Sequence, residues 1–304
     1  MKASAITIVE VGPRDGFQPI DVFIPTEHKI EMIDQLYDAG VRRMEATAFV
    51  SPRAVPQMVD APQLLAHTRT KPGLDVQVLV PSQRQAERAL AADATHLAFV
   101  LSVSQKHNQG NVRRSPAESV EEFGALVAML PEAITMRVNV ATAFDCPFDG
   151  PIDPNQTIAL LESLIAIAPA AEYALCDTTG RVTPDKVREL FVRAQQRLPA
   201  SATWAFHGHD TYGVGVANAL AAIEAGVQVL DASFAGMGGC PFAPGATGNV
   251  ATEDLVWTLE NMGVATGIEL GLLLAVAQQA SALPGACVGG RVREALRARE
   301  RAAL

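Results

Sequence analysis

The sequence predicts an α/β fold, a (β/α)8 TIM barrel with extra C-terminal helices. Three observations predict it: a length of 304 residues, eight short apolar or β-branched runs, and a helix-like segment after each run. No low-complexity linker interrupts this rhythm. We therefore expect a single domain over 1–304, with the barrel at about 5–262 and the added helices at about 263–304.

The eight runs have the length and composition of buried parallel strands. They lie at residues 6–11, 41–49, 76–81, 95–103, 134–143, 172–178, 203–209 and 229–235. Helices are predicted to begin at residues that precede Pro or an acidic first turn, namely Thr26, Ser115, Asp153 and Thr183. Gly40 and Gly226 precede the second and eighth strands and are predicted helix stops.

The composition limits the partners that the protein can have. Hydrophobic residues make up 49% of the chain, which is enough for a large core. The net charge of -9 and the pI of about 5.2 argue against nucleic acid and an anionic membrane, and favour a small-molecule ligand. Without a signal-peptide pattern or an apolar run of membrane-spanning length, we expect a cytoplasmic protein. Four scattered cysteines are expected to be reduced thiols: Cys146, Cys176, Cys240 and Cys287.

Arg14 and Asp15 follow the first predicted strand in the loop GPRDGFQ. The active site of a barrel of this type lies at the C-terminal ends of the strands, so polar residues there are candidates for chemistry. Gly12 and Gly16 flank the pair and allow the loop to turn tightly over the barrel mouth. A surface ion pair between Arg14 and Asp15 is the alternative interpretation.

His207 and His209 end the seventh predicted strand with Gly208 between them. Side chains alternate along a strand, so both imidazoles point to the same face. Together with oxygen ligands they favour a divalent metal site at the barrel mouth. The alternative is a pair of buried histidines whose nitrogens are satisfied by hydrogen bonds.

The segment 236–249, GMGGCPFAPGATGN, is rich in Gly and follows the eighth predicted strand. We predict a mobile lid that presents the thiol of Cys240, because partly exposed loop cysteines are the reactive kind. Asn249, Glu253 and Asp254 come where the lid rejoins a helix. Contacts to a ligand and N-cap roles are both open for these three residues.

Glu45 and Asp177 are charged residues inside apolar strands. Burial of a carboxylate costs several kcal/mol unless the group is paired or takes part in chemistry. Both are therefore candidate active-site residues. A structural ion pair remains the alternative for Glu45, which lies in the middle of its strand.

Four segments are similar to those that define the 3-hydroxy-3-methylglutaryl-CoA (HMG-CoA) lyase family. They are VEVGPRDGFQ, FVSP followed by VPQM, FHGHDTYG and AGMGGCPFAPGATGNVATEDLV, and the match runs in order from about residue 5 to 265. The resemblance implies a divalent cation, Mg²⁺ or Mn²⁺, with four ligands: Asp15, His207, His209 and Asn249. It also implies catalytic roles for five residues: Arg14, Glu45, Asp177, His207 and Cys240.

The resemblance implies retro-Claisen cleavage of HMG-CoA, an acyl-CoA substrate, to acetyl-CoA and acetoacetate. The metal would acidify the substrate hydroxyl, while Arg14 would stabilise the acetyl-CoA enolate. Asp177 or His207 could accept the hydroxyl proton, and Cys240 could protonate the enolate carbon. We also expect a homo-oligomer, a dimer or larger, and a place in leucine degradation or ketone-body metabolism.

Some positions depart from the family pattern near the expected acyl-binding region. Phe17, Pro19 and Ile20 alter the first loop, and residues commonly Ser, Tyr and Ser are Ala48, Asn139 and Ala174. Since pockets are discriminated by such polar contacts, citramalyl-CoA or another 3-hydroxyacyl-CoA is the alternative substrate. Weaker alternatives are a condensing synthase, a Schiff-base aldolase and an inactive barrel that serves as a scaffold.

Overall fold

A computed structural model describes residues 6–239 and 248–302. Eight parallel strands close a barrel in the order β1-β10-β9-β8-β5-β4-β3-β2. The barrel strands are β1 Thr7–Glu10, β2 Arg43–Ala48, β3 Asp75–Val80, β4 His96–Ser102, β5 Thr135–Ala141, β8 Glu172–Asp177, β9 Thr203–Gly208 and β10 Val229–Ala232. The predicted TIM barrel and its eight strand positions are thereby confirmed, although the last strand is shorter than expected.

Helices cover the outside of the barrel. Within the described part they are α1 Thr26–Asp38, α2 Ala61–Thr68, α3 Gln83–Ala91, α4 Gln105–Val112, α5 Pro116–Ala128, α6 Pro154–Ile167, α7 Pro184–Arg197, α8 Gly215–Glu224, α9 Thr252–Asn261, α10 Leu270–Ala280 and α11 Val292–Ala302. A two-stranded antiparallel ribbon, β6 Asp145–Cys146 with β7 Gly150–Pro151, lies outside the barrel order and was not predicted. No described helix has the length and apolar character needed to cross a membrane.

Helix ends follow the predicted signals with two exceptions. Ser115 forms a capping box with Glu118, and Asp153 accepts a hydrogen bond from the backbone of Asn155, as expected of N-caps. The prediction for Thr26 is wrong, because Thr26 is the first helical residue and its hydroxyl donates to Asp60 (3.0 Å). Thr183 occupies the N-cap position, but its hydroxyl bonds to Asp185 rather than to a backbone N–H.

The predicted helix stops are confirmed by the backbone. Helix α1 ends at Asp38, helix α8 ends at Glu224, and Gly40 and Gly226 lie just beyond them with φ values of +103° and +92°. A side chain at Gly40 would also collide with the carbonyl oxygen of Gly267. Glycine is therefore required at this junction, which returns the chain to the barrel for β2.

The barrel interior contains a chain of buried charges. Arg137 on β5 is fully buried and donates to Glu172 on β8 (3.0 Å) and to Asp231 on β10 (2.5 Å). Arg43 on β2 pairs with the same Glu172 (2.7 Å), and Asp231 accepts from His207 on β9 (3.0 Å). We call these five residues the buried charge chain. It connects the N-terminal side of the barrel with the ends of the strands where candidate site residues lie.

The C-terminal helices are tied to the barrel through α9. Glu253 pairs with Arg293 of α11 (3.3 Å), and Asp254 accepts from the backbone N–H groups of Arg291 (2.8 Å) and Val292 (2.8 Å). Arg293 is only 4% exposed, so this charge of α11 is buried against α9 rather than solvated. Glu253 and Asp254 are not the N-cap of α9, which is Ala251; they hold α11 in place.

Candidate active site

The turn after β1 presents Arg14 and Asp15 to the barrel mouth. Residues Gly12–Gly16 form one wide turn of π type, and an added Cβ at Gly12 would lie 2.4 Å from the ring of Phe234. The turn can therefore pack tightly against the segment after β10 only with glycine at this position. The Arg14 guanidinium donates to Asp15 (2.5 Å) and also to Glu45 on β2.

Asp15, His207 and His209 converge, as the sequence predicts. One potential ligand atom from each lies within 4.8 Å of the other two. The two Nε2 atoms of the histidines are 3.3 Å apart, and Asp15 Oδ2 is 4.0 Å from Nε2 of His207. Because these potential ligand atoms lie so close together, the arrangement is consistent with a divalent metal site.

Asn249 joins this cluster from the far side of the lid segment. Its amide nitrogen donates to Asp15 Oδ2 (2.9 Å) and to the carbonyl oxygen of Met237 (2.9 Å). The buried Oδ1 of Asn249 accepts no hydrogen bond from any described residue. Asn249 therefore contacts the cluster through its amide nitrogen and carries a buried oxygen without a donor among the described residues, so these residues fit a divalent ion.

The electrostatics favour the metal-binding forms of Asp15 and His209, whereas the pKa of His207 is lowered by burial but raised above its ordinary value by the Asp231 and Asp15 carboxylates. Burial raises the pKa of Asp15, but the Arg14 guanidinium, the two histidines and the hydrogen bond from Asn249 together hold the pKa below its ordinary value. Burial, assisted by the neighbouring His207, lowers the pKa of His209 to about 4. Asp15 is therefore charged and His209 neutral near pH 7, as metal coordination requires.

Asp231 orients His207 from beneath. Its Oδ2 lies 3.0 Å from Nδ1 of His207 and 2.5 Å from the Arg137 guanidinium. Burial raises the pKa of Asp231, but the charges and hydrogen bonds of Arg137 and His207 together hold that pKa at about 2. The carboxylate accepts a hydrogen bond from Nδ1–H of His207. This contact directs Nε2 of His207 toward the cluster.

The cluster opens into a cavity of about 730 Å³. The wall formed by β3, β4 and β5 is mostly apolar and consists of Leu79, Val100, Asn139 and Ala141. Asn139 is the polar side chain among these four. Its opposite wall carries Cys176, Thr178, His207 and His209. Arg53, Arg113 and Arg114 also line the cavity, and the exposure of the first two marks its solvent-facing end.

Three predicted site residues do not line the cavity: Asn249, Glu45 and Asp177. Glu45 is buried beside Arg14 and bonds to its Nε, which agrees with the ion pair considered for it. Asp177 is fully buried on β8, where it accepts from the backbone N–H of Val182 (3.4 Å). Its neighbours Cys176 and Thr178 face the cavity instead, so the expectation that Asp177 stands in the reaction chamber is not met.

Burial of Asp177 has an electrostatic consequence outside the cavity. It raises the pKa of this carboxyl to about 6, while the N–H groups of the following loop act in the opposite direction. The residue supports the turn between β8 and α7. Cys240 lies outside the described residues; Gly239, which precedes it, lines the cavity.

Sequence reasoning missed Asp231 and Arg137. Both are charged residues inside apolar strands, so the argument that selected Glu45 and Asp177 would also have selected them. It also missed Cys176 and His107, which line the cavity. His107 bonds to Ser102 (2.7 Å), and burial lowers its pKa to about 4.

Known proteins resemble this chain over most of its length. A family model described as HMGL-like matches residues 5–279. The chain is 40% identical over 270 residues to the mitochondrial hydroxymethylglutaryl-CoA lyase of Mus musculus, covering 88% of this chain and 82% of the relative. It is also 40% identical over 292 residues to the (R)-citramalyl-CoA lyase of Chloroflexus aurantiacus, covering 92% of each.

A solved structure has the same architecture. It is that of an HMG-CoA lyase from Acinetobacter baumannii in complex with coenzyme A and 3-methylmalate, and it aligns with a TM-score of 0.90 at 36% identity. The alignment covers 96% of this chain and 95% of that chain. The resemblance therefore includes both the sequence and the three-dimensional fold.

Proposed function

Since the chain belongs to the HMGL-like family and is an HMG-CoA lyase-type enzyme, we propose that it cleaves (S)-3-hydroxy-3-methylglutaryl-CoA to acetyl-CoA and acetoacetate. The observation that carries this proposal is the convergence of Asp15, His207 and His209 beside Arg14 in one cavity. Cleavage must remove the 3-hydroxyl proton, break the C2–C3 bond and hold the thioester enolate until its carbon is protonated.

We propose that the cofactor is Mg²⁺ or Mn²⁺. Its ligands would be Asp15, His207, His209 and Asn249, through the atoms that converge at the barrel mouth. Bound there, a divalent ion supplies Lewis acidity that lowers the pKa of the substrate hydroxyl. Carboxylate and amide oxygens with two imidazoles suit ions of this kind.

Arg14 supplies positive charge for the enolate. Its Nε and Nη1 are held by Glu45 and Asp15, while no described residue accepts a hydrogen bond from its Nη2. Arg14 lines the cavity, so this nitrogen is available to a substrate oxygen. A donor fixed before the reaction stabilises developing negative charge without having to reorganise, which is commonly worth a few kcal/mol.

Two residues complete the proton transfers in this proposal. His207 would accept the hydroxyl proton only through an Nε2 that is not coordinated to the metal, because its Nδ1 is already bonded to Asp231, whose carboxylate would stabilise the resulting imidazolium. Asp177, the other predicted acceptor, does not line the cavity. Cys240 would donate a proton to the enolate carbon from the predicted lid, whose neighbouring residue Gly239 lines the cavity.

The coenzyme end of the substrate would lie against the arginines of the solvent-facing end. Arg53 and Arg113 are exposed, line the cavity, and form no ion pair with a described residue. In a chain of net charge -9, two such arginines beside the site favour the phosphates of an acyl-CoA. Arg293 of α11 is buried against Glu253 and does not line the cavity.

The experiment that tests the function measures acetyl-CoA release from HMG-CoA and citramalyl-CoA in parallel. Each substrate is assayed with Mg²⁺ present and again after its removal by EDTA. Metal-dependent cleavage that favours HMG-CoA would support the proposal. If neither substrate is cleaved with metal present, the proposed activity is wrong.

Citramalyl-CoA is the second candidate substrate. The 40% identity to a citramalyl-CoA lyase over 92% of both chains supports it as strongly as the HMG-CoA relatives support theirs. Of the departures from the family pattern, Asn139 lines the cavity, whereas Ile20, Ala48 and Ala174 are buried and do not. A preference for citramalyl-CoA in the parallel assay would assign the enzyme to this alternative.

We further propose one domain over 1–304, a homo-oligomeric state and a cytoplasmic location. The free thiols of Cys146 and Cys176 fit a reducing compartment. The exposed Trp257 and Leu272 of α9 and α10 fit a surface that a second subunit covers. Light scattering on the purified protein and fractionation of cells test the last two proposals. A role in leucine degradation or ketone-body metabolism would follow from cleavage of HMG-CoA.

A further inference from the structure

Asn139 is a polar side chain in an otherwise apolar wall of the cavity. It lies on β5 and is 8% exposed. Val100, its partner in register on β4, and Ala141, two residues further along β5, line the same wall. A polar group placed among apolar neighbours in a binding cavity fixes the orientation of the ligand and contributes to specificity.

Arg137 determines which way the Asn139 amide faces. The Nε of Arg137 donates to Oδ1 of Asn139 (2.8 Å). A guanidinium has donors only, so the amide oxygen must face Arg137 and the amide nitrogen must lie on the other side. The hydrogen-bond partner thereby removes the usual ambiguity in the orientation of an asparagine amide.

Arg137 cannot easily turn away from Asn139. It is fully buried, and its two terminal nitrogens are held by Glu172 (3.0 Å) and Asp231 (2.5 Å). Asn139 is therefore fixed by the buried charge chain, and a hydrogen bond from a cation makes the amide a better donor. No described residue accepts a hydrogen bond from Nδ2 of Asn139, so this donor is available to a ligand in the cavity.

We propose that Asn139 is a specificity-determining residue whose Nδ2 donates to a carboxylate at the far end of the acyl group. This inference rests on the proposed lyase function, in which the metal ligands face the 3-hydroxyl and Arg14 faces the thioester oxygen. The oxygen that then lacks a protein partner is that of the second carboxylate. The Nδ2 group can only donate hydrogen bonds. It therefore suits a carboxylate oxygen, which can only accept them.

Two variants test the hydrogen-bond donor of Asn139 while keeping the branched shape of its side chain. Asn139→Leu keeps the branched shape but removes both the donor and the acceptor for Arg137, whereas Asn139→Asp keeps that acceptor and turns a negative oxygen toward the cavity. Val100→Ala is the matched control, because it removes an apolar contact from the same wall. Circular dichroism and Mn²⁺ affinity show whether each variant keeps its fold and metal site.

The probes are 3-hydroxyglutaryl-CoA and 3-hydroxybutyryl-CoA, of which only the first carries the far carboxylate. Dissociation constants are measured by calorimetry on the Mg²⁺-loaded protein. We expect Asn139→Leu to reduce the preference for the carboxylate probe by about 10- to 100-fold, the range for one charged hydrogen bond. Asn139→Asp should reduce it further, and Val100→Ala should weaken both probes by similar factors.

An unchanged ratio of the two dissociation constants in Asn139→Leu would overturn the proposal, even if both probes bind more weakly. That result would mean that Asn139 does not contact the carboxylate. The ratio is a binding measurement and does not depend on turnover. If the protein binds the carboxylate probe but cleaves neither HMG-CoA nor citramalyl-CoA, the lyase function fails while the ratio still decides the role of Asn139. Wild-type protein that shows no preference for the carboxylate probe contradicts the role directly.

Discussion

Asp231 contacts one of the proposed metal ligands but does not line the cavity. It connects His207, a proposed ligand, with Arg137 through hydrogen bonds of 3.0 Å and 2.5 Å. Carboxylates in this position hold the ligand ring in the tautomer that leaves the other nitrogen free for the metal. A change at Asp231 should therefore alter metal binding although the ligand atoms themselves are intact.

We predict that Asp231→Asn weakens Mn²⁺ binding by about 10- to 100-fold, the usual effect of removing such a support. The amide keeps the shape of the carboxylate but leaves the Arg137 guanidinium without one of its counter-charges. Calorimetric titration with Mn²⁺ measures the effect. Unchanged affinity would mean that the hydrogen bond to Asp231 does not orient His207.

Variants of Cys240 and His209 should affect turnover and metal binding differently. Cys240→Ser is expected to keep Mn²⁺ affinity and lose most turnover, because a hydroxyl is a much weaker acid than a thiol. His209→Ala is expected to lose both. Acetyl-CoA release at saturating substrate and Mg²⁺ measures turnover, and unchanged activity in Cys240→Ser would remove the lid thiol from the mechanism.

The arginines at the solvent-facing end should act on binding of the coenzyme. Arg113→Ala is predicted to raise KM by about tenfold, the loss of one charge-assisted contact to a phosphate, with little change in kcat. Arg188→Ala is the control, because Arg188 is exposed on α7 and pairs with Glu224 away from the cavity. Equal effects of the two variants would argue against a phosphate contact at Arg113.

At the scale of elements, Glu10 joins three segments of the chain. Its carboxyl at the end of β1 accepts from the backbone N–H groups of Gly12 (2.8 Å) and Phe234 (3.0 Å) and from the Thr252 hydroxyl at the start of α9 (2.7 Å). The residue is fully buried. Burial raises its pKa from 4.5 to about 8, although these donors act in the opposite direction.

This raised pKa predicts a loss of stability with rising pH. The folded state prefers protonated Glu10, so the stabilisation is fully present below pH 4.5 and is lost as the pH rises through about 8. We expect the urea midpoint, measured in EDTA, to fall between pH 5.5 and 8.5, and to fall less in Glu10→Gln. A parallel decline in both proteins would assign the effect to other groups.

The elements were predictable where the chain has a clear period, and less so where it does not. The barrel strands are distinct apolar runs, whereas the two-residue strands of the β6–β7 ribbon are too short to leave a pattern. Asp177 was misplaced because β8 is buried on both faces and shows no alternation that would reveal its inward side. The register of β2 also shifts between Glu45 and Thr47, which no sequence pattern indicates.

At the scale of residues, the convergence of Asp15, His207 and His209 was predictable because barrel topology brings strand ends together. The contact by which Arg137 orients Asn139 could not be predicted. Arg137 comes two positions earlier on the same strand, and its contacts depend on the geometry of the closed barrel. Contacts across a barrel interior join residues far apart in sequence, such as Arg137 and Asp231.

For the whole molecule, a metal that binds only the folded state should raise its stability. At a free concentration of about 100 times the dissociation constant, the gain is about 2.7 kcal/mol. We expect Mn²⁺ to raise Tm by several degrees and EDTA to reverse the rise. His209→Ala should show no such response, and an equal rise in that variant would place the stabilising ion elsewhere.

The buried charge chain also determines how the enzyme could be redirected to new acyl groups. Leu79 and Val100 line the cavity without belonging to that chain, so libraries of substitutions at these positions should yield folded, metal-competent variants. Asn139 differs because each replacement must also satisfy the Nε of Arg137. Directed evolution that reaches a substrate without a second carboxylate would therefore be expected to select paired changes at 137 and 139.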